Sequence, residues 1–430
     1  MEYKEDFEVV TAADGTSALS VTLACATVRE HYDRTTTAHS SVASDPAEVC
    51  STGLRVYEGA QVLAAFMYRY GVALLPPVLG EEAVTTSPES GGTSGARNVC
   101  PPPSAFVVEL GCGCGLVGFT LDAALHTRMA AAAQEHASAP MRDSSPSASV
   151  SLIFTDASED CLALVRRSGR LAGRPVRDLD ATPSDAPQQR HDFASPTDVR
   201  LSTLRLTWSD EGVKAFQKKL PASTGAPVQL VLGSDLMYYR VDVDALVYTA
   251  KSLLLLPAAC RLPSLAQATD ASSGFVVFAH FMRIPDGQRT LATVARERHG
   301  MAIAAIPLSA FVDTSTVRFR SWSGVELVLL GLHSPNAVAA PSGGSGSGNS
   351  TAGRAAAAAE DLNYLKALLE ARGTAWERRC ATASRQARAL AATLQPYPSS
   401  VQATSSVNGV GGDAAAADAV EEAAFLHLLL

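Results

Sequence analysis

No run of about 18 apolar residues occurs in the 430-residue sequence, so no segment reads as a membrane-spanning helix. The opening MEYKEDFEVV has neither the basic nor the apolar region of a secretory leader. An excess of basic residues is also missing. The 35 Lys and Arg are outnumbered by 43 Asp and Glu, and the net charge of -8 argues against a nucleic-acid partner gripped by its phosphates. Paired cysteines are absent as well: Cys25, Cys50, Cys100, Cys112, Cys114, Cys161, Cys260 and Cys380 match neither a disulfide framework nor a C-x-x-C zinc site. Cys112 and Cys114 alternate with glycines in one loop, where small side chains are the requirement, and no metal is expected. These absences together predict a soluble cytoplasmic protein, with the nucleus as the other compartment; separately, a monomer is expected.

What is present is a succession of strand-like runs separated by helical or polar stretches. FVVEL (106–110) precedes a helical stretch at 116–133, and SLIFT (151–155) leads through Asp156 into a helical pattern at 157–171. LRLTW (204–208) and VQLVLG (228–233) read as two further strands, 242–256 as a helix, GFVVFAHF (274–281) as a strand, 287–299 as a helix and SGVELVLLGL (323–332) as the last strand. Near-continuous apolar strands alternating with helices predict an α/β, Rossmann-like fold with a mostly parallel sheet covered on both faces. Residues 1–80 read as an N-terminal β/α extension packing on a core domain at 104–335. Polar, small-residue inserts at 81–103, 134–149, 178–196 and 259–273 read as surface loops. PSGGSGSGNSTAG (341–353) has the composition of a flexible linker, and 354–430 reads as a helical or partly disordered tail, with one helix or a helical pair over 355–395 interrupted near Gly373 and a solvated extension favoured over a partner-binding arm. A small apolar face at 419–430 could dock on the core.

The chemistry concentrates at the strand ends. Gly113, Gly115 and Gly118 satisfy G-x-G-x-x-G, the spacing of a dinucleotide fold, while Glu109 and Gly111 ahead of them suit another nucleotide-like cofactor. Asp156 stands where open α/β sites place a carboxylate for two ribose hydroxyls, and the same residue can cap the helix that follows. Trp208 offers a flat ring for an adenine, with Ser209 and Asp210 beside it. Asp235 and Tyr238 follow the fourth strand next to Ser234, at the rim where a substrate arrives. There the acid can hold an amine or complement a sulfonium, and the ring can bound its passage. His280 reads as a histidine with satisfied hydrogen bonds rather than a base.

These stretches, together with STGLRVYEGAQVLAAFM (51–67), VVELGCGCGLVG, FTDASEDCLALVRR, LRLTWSD and VLGSDLMYY, resemble methyltransferase family 16, the seven-β-strand protein lysine methyltransferases. The family's acidic-x-x-aromatic signature falls on Asp235 and Tyr238, and Tyr57 stands where the family has Trp. The resemblance implies a seven-stranded sheet, S-adenosyl-L-methionine as cofactor and a lysine side chain of a protein as acceptor. It implies that Glu109, Gly111, Gly113 and Gly115 lie beneath the methionine part, that Asp156 binds ribose and Trp208 adenine, that Ser234 also contacts the cofactor, and that Tyr57, with Glu58, helps close the pocket. Asp235 and Tyr238 would form the methyl-transfer rim. Three other readings stay open: methylation of a small molecule, RNA or protein histidine; a nicotinamide-dependent oxidoreductase built on the G-x-G-x-x-G subset, for which no Tyr-x-x-x-Lys constellation is evident; and a scaffold that binds cofactor without catalysis.

Overall fold

Alternate residues of strand β3 (Ser104–Leu110) enter two different cores, which is why the run reads as continuously apolar. Val107 joins one cluster; Phe106, Val108 and Leu110 join the other. The computed structural model describes residues 2–10, 18–26, 51–77, 104–136, 149–181, 198–220, 227–238, 241–256, 274–281, 287–312, 322–332, 351–377 and 380–397.

The main sheet adds β4 (Ser149–Asp156), β5 (Val176–Asp178), β6 (Asp198–Arg205), β7 (Val228–Ser234), β8 (Phe275–Phe281), β9 (Met301–Ala305), β10 (Val325–Leu332) and β11 (Gln395–Pro396). Its order is β11-β9-β10-β8-β7-β3-β4-β6-β5. Strands β5, β6, β4, β3, β7 and β8 pair in parallel, whereas β10 runs against both β8 and β9, and β11 against β9. Seven longer strands are thus flanked by two short ones, of 3 and 2 residues; neither of these two nor β9 was revealed by the sequence pattern.

Helices cover both faces. On the first lie α1 (Glu58–Leu74), α2 (Leu116–His136) and α3 (Glu159–Leu171); on the second lie α4 (Asp210–Lys219), α5 (Val243–Leu254) and α6 (Gly287–Thr293), which continues as a π turn at Val294–Arg298. A separate antiparallel hairpin, β1 (Glu2–Val10) and β2 (Ala18–Ala26), packs on α3, where the Ala24 N–H donates to Ser168 Oγ at 2.9 Å.

Three sequence expectations change. The third strand is displaced: it runs from Asp198 to Arg205, and Trp208 lies beyond its end. DVRLSTLR looked polar because Arg200 and Arg205 face solvent near the sheet margin while Val199, Leu201 and Thr203 are buried. The C-terminal region is not a solvated extension. Helices α7 (Thr351–Trp376) and α8 (Ala381–Thr393) pack on each other and on α1, α7 also lies against β9, and β11 pairs with β9. Leu365, Leu369 and Trp376 are buried there, and the Trp376 indole N–H donates to the Leu75 carbonyl at 2.9 Å. The helix also continues through Gly373, whose missing side chain leaves room for Arg388 of α8. Residues 341–350 of the expected linker, most of the expected loop inserts, and 419–430 lie outside the described residues. Among the described residues no helix is long and apolar enough to cross a membrane.

Candidate functional site

The chain leaves β3, moves outward through β4 and β6, and returns to lay β7 on the other side of β3. Ligands of open α/β sheets sit at the carboxyl ends of the strands at such a reversal. A cavity of about 690 Å³ opens there. Tyr57, Glu109, Gly111, Gly113, Gly115, Asp156, Trp208, Ser234, Asp235 and Tyr238 all line it.

The loop after β3 depends on its glycines for reasons internal to the protein. Gly111, Gly113 and Gly115 have φ of 55°, 52° and 83°, in the left-handed region that side chains disfavour. A Cβ on Gly113 would lie 2.8 Å from the Gly53 carbonyl oxygen, so the bare backbone there admits the 51–54 turn against the loop. Glu109 turns back from the end of β3, and its Oε2 accepts from the Gly118 N–H at 2.9 Å in the first turn of α2. It is 1% exposed, and burial lifts its carboxyl to about 8, helped by the nearby Asp156 and opposed by the Gly118 hydrogen bond.

Asp156, at the end of β4, accepts from Ser158 N–H through Oδ1 at 2.9 Å and from Gly113 N–H through Oδ2 at 3.2 Å. Burial raises its carboxyl, and these backbone donors hold the rise back. The same carboxylate therefore starts α3, clamps the glycine loop and lines the cavity. Trp208 is half-buried, its ring on the side of Gly111. Ser209 and Asp210 beside it are committed elsewhere: Ser209 Oγ accepts from the Gly212 N–H at 3.0 Å, and Asp210 accepts from Tyr248 and pairs with Lys214.

Asp235 has a φ of 53°, the sole non-glycine positive value among the described residues. Its carboxylate does not reach freely into the cavity. Oδ2 accepts from the Ala60 N–H at 3.2 Å and Oδ1 from the Phe281 N–H at 3.3 Å, while its own N–H donates to Ala279 at 2.7 Å. Tyr57, the N-cap residue of α1, makes no capping bond through its side chain, so Asp235 from another element supplies the acceptor that helix needs. Gly59 allows the approach, since a Cβ on it would sit 2.5 Å from Asp235 Oδ2.

Two thiols meet behind the loop. The Cys114 thiol donates to the Gly53 carbonyl at 3.4 Å and is hydrogen-bonded to Cys25 of β2, which raises Cys114 and lowers Cys25. Among the described residues no group of three or more His, Cys, Asp and Glu is arranged to hold a metal. His280 is buried at 1% exposure, but neither ring nitrogen has a hydrogen-bond partner among the described residues, contrary to the sequence reading. Burial lowers its pKa to about 4, so the ring is neutral, with Glu326 Oε2 3.9 Å away.

Sequence reasoning missed Gly53, Arg55, Cys161 and Asp242 among the lining residues. Gly53 and Arg55 belong to the turn ahead of α1, where an Arg before a helix reads as a solvated charge. Only the fold brings that turn over the glycine loop.

No protein family and no curated protein matches the chain by sequence. Among solved structures, SMU.776, provisionally described as a methyltransferase and complexed with SAH, aligns at 6% identity and a TM-score of 0.32 over 76% of this chain and 56% of that one. The citrinin polyketide synthase CMeT domain aligns at 10% identity and a TM-score of 0.27, over 54% of this chain and 46% of that one. A provisionally assigned sarcosine dimethylglycine methyltransferase from Galdieria sulphuraria gives 10% and 0.25, over 53% and 78%. The chain thus spans about half the length of the first two. At these scores the likenesses carry no weight for function, which rests on the cavity itself.

Proposed function

We propose that the chain is an S-adenosylmethionine-dependent methyltransferase whose acceptor is a lysine side chain of another protein. The observation that carries this reading is the pairing of Glu109 and Asp156 in one cavity at the sheet reversal. A dinucleotide site presents the N–H groups of its first helix to a pyrophosphate. Here a buried acid, Glu109, occupies one of them, at Gly118, and disfavours phosphate at that place.

The residues fit the methionine-derived cofactor. Asp156, held from the protein side by the Gly113 and Ser158 N–H groups, lines the cavity at the end of β4, the place from which a carboxylate takes the vicinal hydroxyls of a ribose. Trp208 supplies a ring for adenine, and the loop from Gly111 to Gly115 borders the methionine part. Asp156, Glu159, Asp160, Asp235 and Asp242 line the cavity against Arg55 and Arg205, a balance that favours a cationic occupant.

When bound, the cofactor supplies an electrophilic methyl group on a sulfonium. The chain's own residues align the acceptor. Asp235 acts by position: with its oxygens engaged by Ala60 and Phe281 it locks the start of α1 to the ends of β7 and β8, and so holds Tyr57 and Tyr238 about the rim. The Tyr238 ring bounds the amine's path and helps exclude water. An amine held there is partly desolvated, which favours its neutral, nucleophilic form, its proton leaving to solvent before attack. The acidic rim and the resemblance at Asp235 and Tyr238 support lysine as the acceptor.

The test is transfer of labelled methyl from S-adenosylmethionine into a cell lysate. Label recovered from protein as methyl-lysine is the expected result. Label in RNA, histidine or small molecules would replace the acceptor and keep the cofactor, and binding without any transfer would favour the scaffold reading.

A further inference from the structure

We infer that Arg55 receives the carboxylate of the cofactor's amino-acid end, an inference that rests on the S-adenosylmethionine reading. The cavity lining contains two cations, and they differ in commitment. Arg205, at the end of β6, donates through Nε to the Ala157 carbonyl at 3.0 Å. The Arg55 guanidinium lies 4.7 Å over the Tyr57 ring and, among the described residues, makes neither a hydrogen bond nor an ion pair. Stacking engages the face of a guanidinium and orients it, but leaves its N–H edges available, and that planar fork matches a carboxylate.

Its place in the cavity agrees. The 51–54 turn crosses the glycine loop, with the Gly53 carbonyl accepting from the Cys114 thiol, and Arg55 follows two residues later. Tyr57 then begins α1, whose Ala60 N–H is held by Asp235. Arg55 therefore belongs to the segment joining the glycine loop to the acceptor rim. An occupant with its adenine at Trp208 and ribose at Asp156 directs its remaining tail along the loop toward that segment. The tail carries one ammonium and one carboxylate. Carboxylates are plentiful around the cavity; of its two cations, Arg205 is anchored through Nε to Ala157, and Arg55 has its whole donor set available.

The test is calorimetry of the full chain with S-adenosylhomocysteine and with 5′-methylthioadenosine, which keeps adenine, ribose and thioether but has no amino-acid end. Arg55→Met is expected to weaken S-adenosylhomocysteine by about 10-fold or more and to leave methylthioadenosine within about 2-fold, the size of one charge-assisted pair. Arg55→Lys should recover part of the loss. Arg55 is exposed, and an unchanged melting temperature in both variants is the check on folding. Undiminished S-adenosylhomocysteine binding in Arg55→Met, or equal losses for both ligands, overturns the inference while the cofactor reading stands. A wild-type chain that binds neither ligand overturns the cofactor reading itself.

Discussion

Asp156 and Asp235 are both carboxylates at strand ends, and their hydrogen bonds give them different work. Asp156 touches the loop and the cavity together, so Asp156→Ala should weaken S-adenosylhomocysteine by about 1 to 3 kcal/mol, read by calorimetry. Asp235 caps α1 from a distance of 175 residues in sequence. Asp235→Ala should lower stability by about 0.5 to 2 kcal/mol, the usual cost of a lost helix cap, and should slow methyl transfer more than it weakens cofactor binding. An unchanged melting temperature with a large loss of cofactor affinity would put Asp235 on the cofactor instead. Two buried groups set the pH response. Glu109 is raised from 4.5 to about 8, so its contribution to stability is fully present below 4.5 and is lost as pH rises through 8. His280 is lowered from 6.5 to about 4, so its contribution is present above 6.5 and is lost as pH falls through 4. Denaturant titrations across pH should therefore show Glu109→Gln flattening the alkaline limb and His280→Phe the acid limb; a wild-type slope retained in either variant would contradict the assignment.

At the scale of elements, the C-terminal helices are part of the fold's core. Trp376 is buried and bonded to Leu75 at the end of α1, and Asp361 of α7 pairs with Arg296 and accepts from the Ile303 N–H of β9. Trp376→Ala should cost about 3 to 5 kcal/mol, the range for large aromatic truncations in a core, measurable by chemical denaturation. A cost near zero would mean that α7 does not dock in solution. None of this was legible in the sequence. Residues 354–376 are so rich in alanine that no apolar stripe stands out, and the few large side chains that dock, Leu365, Leu369 and Trp376, acquire a partner only when α1 is in place. Strand β6 was misplaced for a related reason, since a strand near the sheet margin carries polar residues on alternate positions. The interior strands β3, β7 and β8 were legible because both of their faces are buried, which leaves little room for any other pattern.

For the whole molecule, the strand order does what no single motif could. It brings residues from position 53 to position 245 around one cavity, and ten residues singled out from sequence line it together. They were legible because each sits at a strand end or a glycine turn, where composition changes abruptly. What the sequence could not give was the direction of each side chain. Asp235 read as a group facing the acceptor; it lines the cavity and also binds backbone N–H groups of two other elements, and the loop glycines read as space for a ligand while the space beside Gly113 is taken by Gly53. Whether this cavity takes S-adenosylmethionine or a dinucleotide is decided by calorimetry of the full chain with S-adenosylhomocysteine and with NAD, side by side. Saturable one-to-one binding of S-adenosylhomocysteine and no binding of NAD is the expected result; binding of NAD with none of S-adenosylhomocysteine would mark a dinucleotide site.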